Sequence, residues 1–234
     1  MTFCAEYSTI HFMDAYIEEI IKAHESQFEK YFSLLTEWNE KFNLTAITEK
    51  EDVFVKHFAD SLLGEPFIEK NAAVLDVGAG AGFPSLPIKI VRGDIKLTLA
   101  DSLQKRVVFL REVICRLGLE NVEAVHSRAE DLTERESYDC VVSRAVAPLN
   151  VLCEYCLPFV KTGGKFIAYK SDDCAEEIAA AEKAVSVLGG AGAQIVKVRL
   201  DENTVRSLVV IKKIAATPVK YPRGKNLPRK MPLI

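Results

Sequence analysis

Residues 76–87 read DVGAGAGFPSLP: an acid, three glycines at alternate positions, and prolines at the opening of what the pattern predicts as a helix. A loop so rich in glycine lets backbone come close to something. The run before it, AAVLDVG, is short and apolar, as a buried strand is. Downstream, DIKLTLAD, NVEAVHS, YDCVVSRA and GGKFIAYK read as four more strands with helical patterns between them. The clearest helix places Leu103, Val107, Leu110, Ile114 and Leu117 at spacings of 4, 3, 4 and 3, with Gly118 as its stop. Strands alternating with amphipathic helices predict a parallel sheet covered on both faces. The last two strands, AQIVKVRL and VRSLVVIKKI, are joined only by Asp201 to Thr204. So short a connection forces an antiparallel hairpin, because a parallel return needs a crossover of a dozen residues or more.

The fold class expected is α/β: a Rossmann-like sheet of five parallel strands plus a C-terminal antiparallel hairpin, the layout of methyltransferases that use S-adenosylmethionine. Ahead of it lies a helical extension. Phe28, Tyr31, Leu35, Trp38 and Phe42 recur at three or four, and a second helix opens at Thr48-Glu49-Lys50-Glu51, a capping box, carries Phe54, Phe58 and Leu62, and stops at Gly64. Three segments follow: residues 1–64, helical; 65–214, the sheet domain; 215–234, a basic tail expected to pack near the active site.

The 234 residues are 49% hydrophobic and 27% charged, enough to bury a sizeable core. No apolar run of membrane-spanning length occurs, and the N-terminus lacks the basic-then-apolar order of a signal peptide, so a cytoplasmic protein is expected. The six cysteines show no framework spacing and read as reduced. Cys153 and Cys156 form a CEYC, but no second pair completes a zinc site, and no metal is expected. The net charge of −3 hides a gradient: residues 1–64 carry net −7, residues 65–211 net −3, and residues 212–234 net +7.

The glycines stand at 78, 80 and 82, and Phe83 occupies the place of the third glycine of a nicotinamide fingerprint. A P-loop is excluded, since no Gly-Lys-Ser/Thr follows. An ordinary tight turn remains the alternative. Asp101, 19 residues after Gly82 at the end of the second strand, is placed to bond ribose hydroxyls. Asp76, Gly78, Gly80, Gly82, Phe83 and Asp101 are therefore candidate cofactor residues. Ala129 and Glu130, after the third strand, are placed to read an adenine edge, or else to begin a solvated helix. Arg144, just past the fourth strand, is the candidate catalytic residue, with a surface salt bridge as its alternative. His57 and Asp60 in KHFADSLL can line the same cleft but carry no catalytic assignment. In the tail, Arg223, Lys225, Arg229 and Lys230 are candidate RNA contacts, Tyr221 is an aromatic available for stacking, and the prolines predict an extended segment.

DVGAGAGFPSLPIKI, LADSLQKRVVFLREV, SRAE, VVSRAVAPL and YPRGKNLPRKMPL, with WNEKFNLTAI and KHFADSLL upstream, resemble the glucose-inhibited division protein B family from about Trp38 to the C-terminus. The resemblance implies S-adenosylmethionine as methyl donor, N7 of a guanine in small-subunit ribosomal RNA as acceptor, and cofactor contacts from Gly78, Phe83, Ala129, Glu130 and Arg144. One departure is Lys170-Ser171, where the family has Lys-Gly; Lys170 joins the candidate RNA contacts. The partner expected is small-subunit ribosomal RNA or an assembling small subunit, with no membrane and no obligate protein partner.

The residues themselves suit that chemistry. No Asn/Asp-Pro-Pro-aromatic loop for exocyclic amines follows the fourth strand, and no Pro-Cys or Thr-Cys nucleophile for pyrimidine carbon 5 occurs. Guanine N7 needs neither, because its lone pair carries no proton at neutral pH and requires only alignment. The competing readings are a methyltransferase for a small molecule or protein, and a noncatalytic RNA-binding or regulatory protein that retains a nucleoside pocket.

Overall fold

The seven expected strands all form in the computed structural model, which describes residues 13–200 and 205–234. They are β1 (Ala73–Val77), β2 (Lys96–Asp101), β3 (Val122–His126), β4 (Tyr138–Arg144), β5 (Val160–Ser171), β6 (Gly190–Arg199) and β7 (Val205–Lys213). The sheet order is β3-β2-β1-β4-β5-β7-β6. The first five strands pair in parallel; β7 runs antiparallel to both β5 and β6. Antiparallel pairing of β6 with β7 is what the short connection predicts, although Asp201 to Thr204 lie outside the described residues. The order reverses beside β1, between β2 and β4, and ligands of open α/β sheets bind outside the strand ends at such a point.

Side chains alternate across each strand, so Val74 enters one apolar core while Leu75 and Val77 enter the other. Helix α7 (Leu149–Cys156) and helix α8 (Ala175–Val187) cover the second core. Cys153 and Cys156 are buried there, and burial pushes both thiols up, as inert core cysteines behave.

The first core is shared between the sheet, helix α5 (Ser85–Val91) and the N-terminal helices α1 (Met13–Ala23) and α2 (Glu25–Phe42). Phe28, Tyr31 and Leu35 of α2 are buried, and Trp38 packs at a tilt against Phe109 of α6 (Gln104–Leu117), centroids 5.6 Å apart. Each such aromatic contributes about 1.5–3 kcal/mol by leaving water. Leu103, expected on the apolar stripe of α6, instead stands exposed at its N-cap, and Gly118 ends the helix in the left-handed conformation as expected.

Two local expectations fail. The capping box at Thr48 is not made: the helix begins one residue later, with Glu49 as N-cap and no side-chain cap hydrogen bond. The helical run over 50–62 is also not uniform. It comprises α3 (Lys50–Val53), a π-helical turn (Phe54–Ala59) and α4 (Asp60–Leu62). Such wide turns recur at functional sites, and this one carries His57.

Candidate functional site

The glycine loop leaves β1 with Gly78, Gly80 and Gly82 all at positive φ (78°, 60° and 95°), which side-chain-bearing residues rarely adopt. A Cβ at Gly78 would strike Val146, and one at Gly82 would strike Leu86 and Tyr31. At Gly80 it would meet nothing closer than the Gly78 carbonyl at 3.9 Å, so this is the position where the loop opens onto free space. Asp101 holds the loop: its carboxylate accepts from the Gly80 N–H at 2.9 Å and from the Leu103 N–H at 2.8 Å. Arg106 stands 3.4 Å from the same group. A carboxylate has about four lone-pair sites, so acceptor capacity remains for a ligand hydroxyl.

Beneath the loop, Asp76 is fully buried. Neither of its carboxylate oxygens, nor the Ser85 hydroxyl beside it, has a hydrogen-bond partner among the described residues. Burial pushes the Asp76 carboxyl up to about 7. A buried carboxyl without a partner is costly and marks a place where a cationic or donor group belongs.

A cleft of about 280 Å³ opens at the ends of β1, β2 and β3. Gly78, Asp101, Ala129 and Glu130 line it, together with Val146 and Tyr155. The other expected cofactor residues are distributed differently. Gly80 and Asp76 sit at the loop, Gly82 faces Tyr31, and Phe83 turns into an aromatic stack against the N-terminal helices. Its ring lies 4.4 Å from His57 and 5.6 Å from Tyr31, centroid to centroid. Tyr31 also donates to the Ala81 carbonyl at 2.5 Å, pinning the loop to α2.

Arg144 lines a neighbouring cleft of about 440 Å³. Its guanidinium lies over the Phe83 ring at 5.1 Å, donates to Asp60 at 2.6 Å and donates to His57 Nδ1 at 3.0 Å. Asp60, itself buried, takes a second arginine, Arg206, at 2.8 Å. His57 accepts this hydrogen bond at Nδ1 and so, as a neutral ring, carries its proton on Nε2, against Thr45 Oγ1 at 2.8 Å. Burial first, then the charges of Arg144 and Arg206, lower its pKa to about 4, which keeps the ring neutral near pH 7. Lys170 lies in the same cleft, bonded to Glu177 at 2.7 Å and to the Ala147 carbonyl. After Arg144 the chain turns sharply, with Ala145 at φ 56°, so Ala145 faces this cleft and Val146 the first. His57 and Asp60 line the cleft with Arg144 as the stretch KHFADSLL predicts, without a catalytic assignment, whereas nothing in the sequence pointed to Arg206.

The tail departs from expectation in two ways. It contains one helical turn, α9 (Leu227–Lys230), because Pro228 falls in the first turn where a missing N–H costs nothing. Tyr221, expected to be free for stacking, is buried in the second core, and its carbonyl accepts from Arg135. Arg223 is tied to the buried carboxylate of Glu154 at 2.6 and 2.8 Å and to the Met231 carbonyl. Lys225, Arg229 and Lys230 remain exposed.

Comparison with known proteins bears on this arrangement. The pattern of the GidB family, described as rRNA small subunit methyltransferase G, matches residues 24–207. The protein named ribosomal RNA small subunit methyltransferase G of Desulforamulus reducens is 54% identical over 88% of this chain and 89% of its own. The protein of the same name from Staphylococcus epidermidis is 46% identical over 92% and 93%. Among solved structures, a SAM dependent methyltransferase from Aquifex aeolicus superposes with TM-score 0.53 at 20% identity, covering 70% of this chain and 93% of that one. M. jannaschii TYW2 in complex with AdoMet gives 0.54 at 16% identity, covering 68% and 76%. These two likenesses speak to the fold.

Proposed function

This chain belongs to the GidB family, rRNA small subunit methyltransferase G, and from that premise we propose that it transfers the methyl group of S-adenosylmethionine to N7 of a guanine in small-subunit ribosomal RNA. The observation that carries the reading is the pairing of the open Gly80 face with Asp101 at the ends of β1 and β2. The residues present fit the donor molecule. Asp101 suits the ribose hydroxyls, the 127–130 stretch after β3 suits the adenine edge, and the partnerless Asp76 suits a cationic methionine group. When bound, S-adenosylmethionine supplies an electrophilic methyl on a sulfonium.

The protein's share is alignment and electrostatics. The Arg144 cleft adjoins the first across the Ala145–Val146 turn and is the seat we assign to the target base. Its four cations meet three carboxylates: Arg144 and Arg206 share Asp60, Lys170 pairs with Glu177 and Lys56 with Asp52. With His57 neutral, these groups leave one net positive charge, and the ring itself adds no second one where the methylated base gains positive charge. Arg144 holds the floor of this seat through Phe83, His57 and Asp60. Lys225 and Lys230 supply phosphate contacts, Arg229 turns to the Val146 carbonyl at the first cleft, and Arg223 anchors the tail that presents them. The three segments thus divide the work: residues 1–64 contribute His57 and Asp60, 65–214 the cleft, and 215–234 the RNA surface. Such a substrate places the enzyme in the cytoplasm, acting on free small-subunit RNA or an assembling particle without an obligate protein partner.

Calorimetry tests the first step. S-adenosylmethionine and its demethylated product should each bind one site per chain; binding of NADH in their place would overturn the reading.

A further inference from the structure

The first cleft has a wall that comes from the far end of the chain. Asn226 and Arg229 line it, together with Gly78 and Asp101. Three bonds sew this wall to the sheet: the Asn226 N–H donates to Glu130 at 3.3 Å, Tyr155 donates to the Asn226 side-chain oxygen at 3.1 Å, and Arg229 donates to the Val146 carbonyl at 2.9 Å. Glu130, Tyr155 and Val146 are themselves cleft residues, drawn from the exit of β3, from α7 and from the exit of β4.

The strap is held from behind as well. Arg223 clamps buried Glu154, and Arg135 donates to the Thr217 and Tyr221 carbonyls. Lys225 and Asn226 sit at φ 59° and 57°. Two successive side-chain-bearing residues in the left-handed region cost energy, and such backbone persists only where its surroundings over-determine it. The strap borders the cleft through Asn226 and Arg229, while Lys225 and Lys230 are exposed.

We propose that residues 223–231 form the outer wall of the cofactor site, with Asn226 and Arg229 as ligand-facing residues, so that RNA held on the exposed side of the strap and cofactor held behind it stabilise one another. This rests on the assignment of the cleft to S-adenosylmethionine made above. An RNA phosphate on Lys225 or Lys230 restrains the same short segment that closes over the nucleoside. Because coupling between two sites is reciprocal, cofactor tightens RNA by the factor by which RNA tightens cofactor.

The test is calorimetric titration of the full chain with S-adenosylmethionine, alone and with a saturating small-subunit RNA fragment. Asn226→Gly keeps the left-handed backbone and removes only the side chain; Arg229→Ala removes the guanidinium. Each should weaken cofactor about tenfold without RNA, the loss of one ligand hydrogen bond, with thermal midpoints near that of the parent as the check on folding. Lys225→Ala with Lys230→Ala should instead weaken RNA and abolish the tightening of cofactor by RNA. Parental cofactor affinity in both Asn226→Gly and Arg229→Ala, with the parent binding normally, would overturn the strap's role and leave the cleft assignment standing. Failure of the parent itself to bind S-adenosylmethionine would overturn both.

Discussion

The carboxylate of Asp101 accepts the Gly80 N–H at 2.9 Å, so the group placed for the ribose also holds the glycine loop in its shape. Ligand contact and loop geometry are therefore lost together when Asp101 is removed. Asp101→Ala should weaken S-adenosylmethionine by roughly 1.5–3 kcal/mol, the range for hydrogen bonds to a charged group. Calorimetry measures it; an unchanged dissociation constant would take Asp101 out of the site.

Gly80 separates ligand space from protein space. Its φ of 60° disfavours any side chain, yet a Cβ there meets no protein atom closer than 3.9 Å. Gly80→Val should cost about 1–2 kcal/mol of stability through backbone strain, leave the fold intact by circular dichroism, and abolish cofactor binding. A variant that binds cofactor like the parent would reduce the loop to a turn.

Asp76 makes the stability of the protein sensitive to pH. Burial raises its carboxyl to about 7, opposed by neighbouring Ser85 and then Arg144, with Asp101 adding to the rise. Between about pH 4 and 7 the folded chain keeps a proton that the unfolded chain gives up, so this group's stabilisation is lost as pH rises through about 7. His57, lowered to about 4, acts oppositely and costs stability below about pH 6.5. Asp76→Asn should therefore remove this group's share, so that the variant's thermal midpoint rises more, or falls less, than the parent's between about pH 4 and 7. If the cationic donor ionises Asp76 on binding, titrations in buffers of different ionisation enthalpy should report proton release near pH 6.5, absent in the variant.

The sheet was legible because each strand is a short apolar run bounded by turns, and because a four-residue connection admits only a hairpin. Gly78, Asp101, Ala129 and Glu130 were legible because strand ends project them to one edge. What composition could not show was which charges are used inside the fold. Arg223 looks like Lys225 in sequence, but Glu154 of a distant helix claims it. Tyr221 adjoins a basic run yet packs inward, since the core accepts it from a segment without apolar period. The π-helical turn at His57 and the isolation of Asp76 are tertiary outcomes with no local signature.

Asp60 links two arginines from different strands, Arg144 at 2.6 Å and Arg206 at 2.8 Å. Asp60→Ala leaves both without their anion. It should cost about 2–3 kcal/mol in urea unfolding, at the lower end for broken buried pairs because Arg206 reaches solvent. A double-mutant cycle with Arg144→Ala should return a coupling above about 0.5 kcal/mol, the threshold for residues in contact. Arg144→Ala alone should lower turnover at saturating RNA while leaving the salt dependence of RNA binding unchanged, since it holds the base seat and not the phosphates. A steep change in that salt dependence would move Arg144 to the RNA backbone.

The central claim is the atom that receives the methyl. Small-subunit ribosomal RNA from cells lacking this protein, incubated with the purified chain and S-adenosylmethionine bearing an isotopically labelled methyl, can be digested to nucleosides and read by mass spectrometry. Labelled 7-methylguanosine should appear, mapping to one position, and should fall away when Arg144→Ala replaces the parent. Label on an exocyclic amine, on pyrimidine carbon 5, or on no nucleoside would contradict the account.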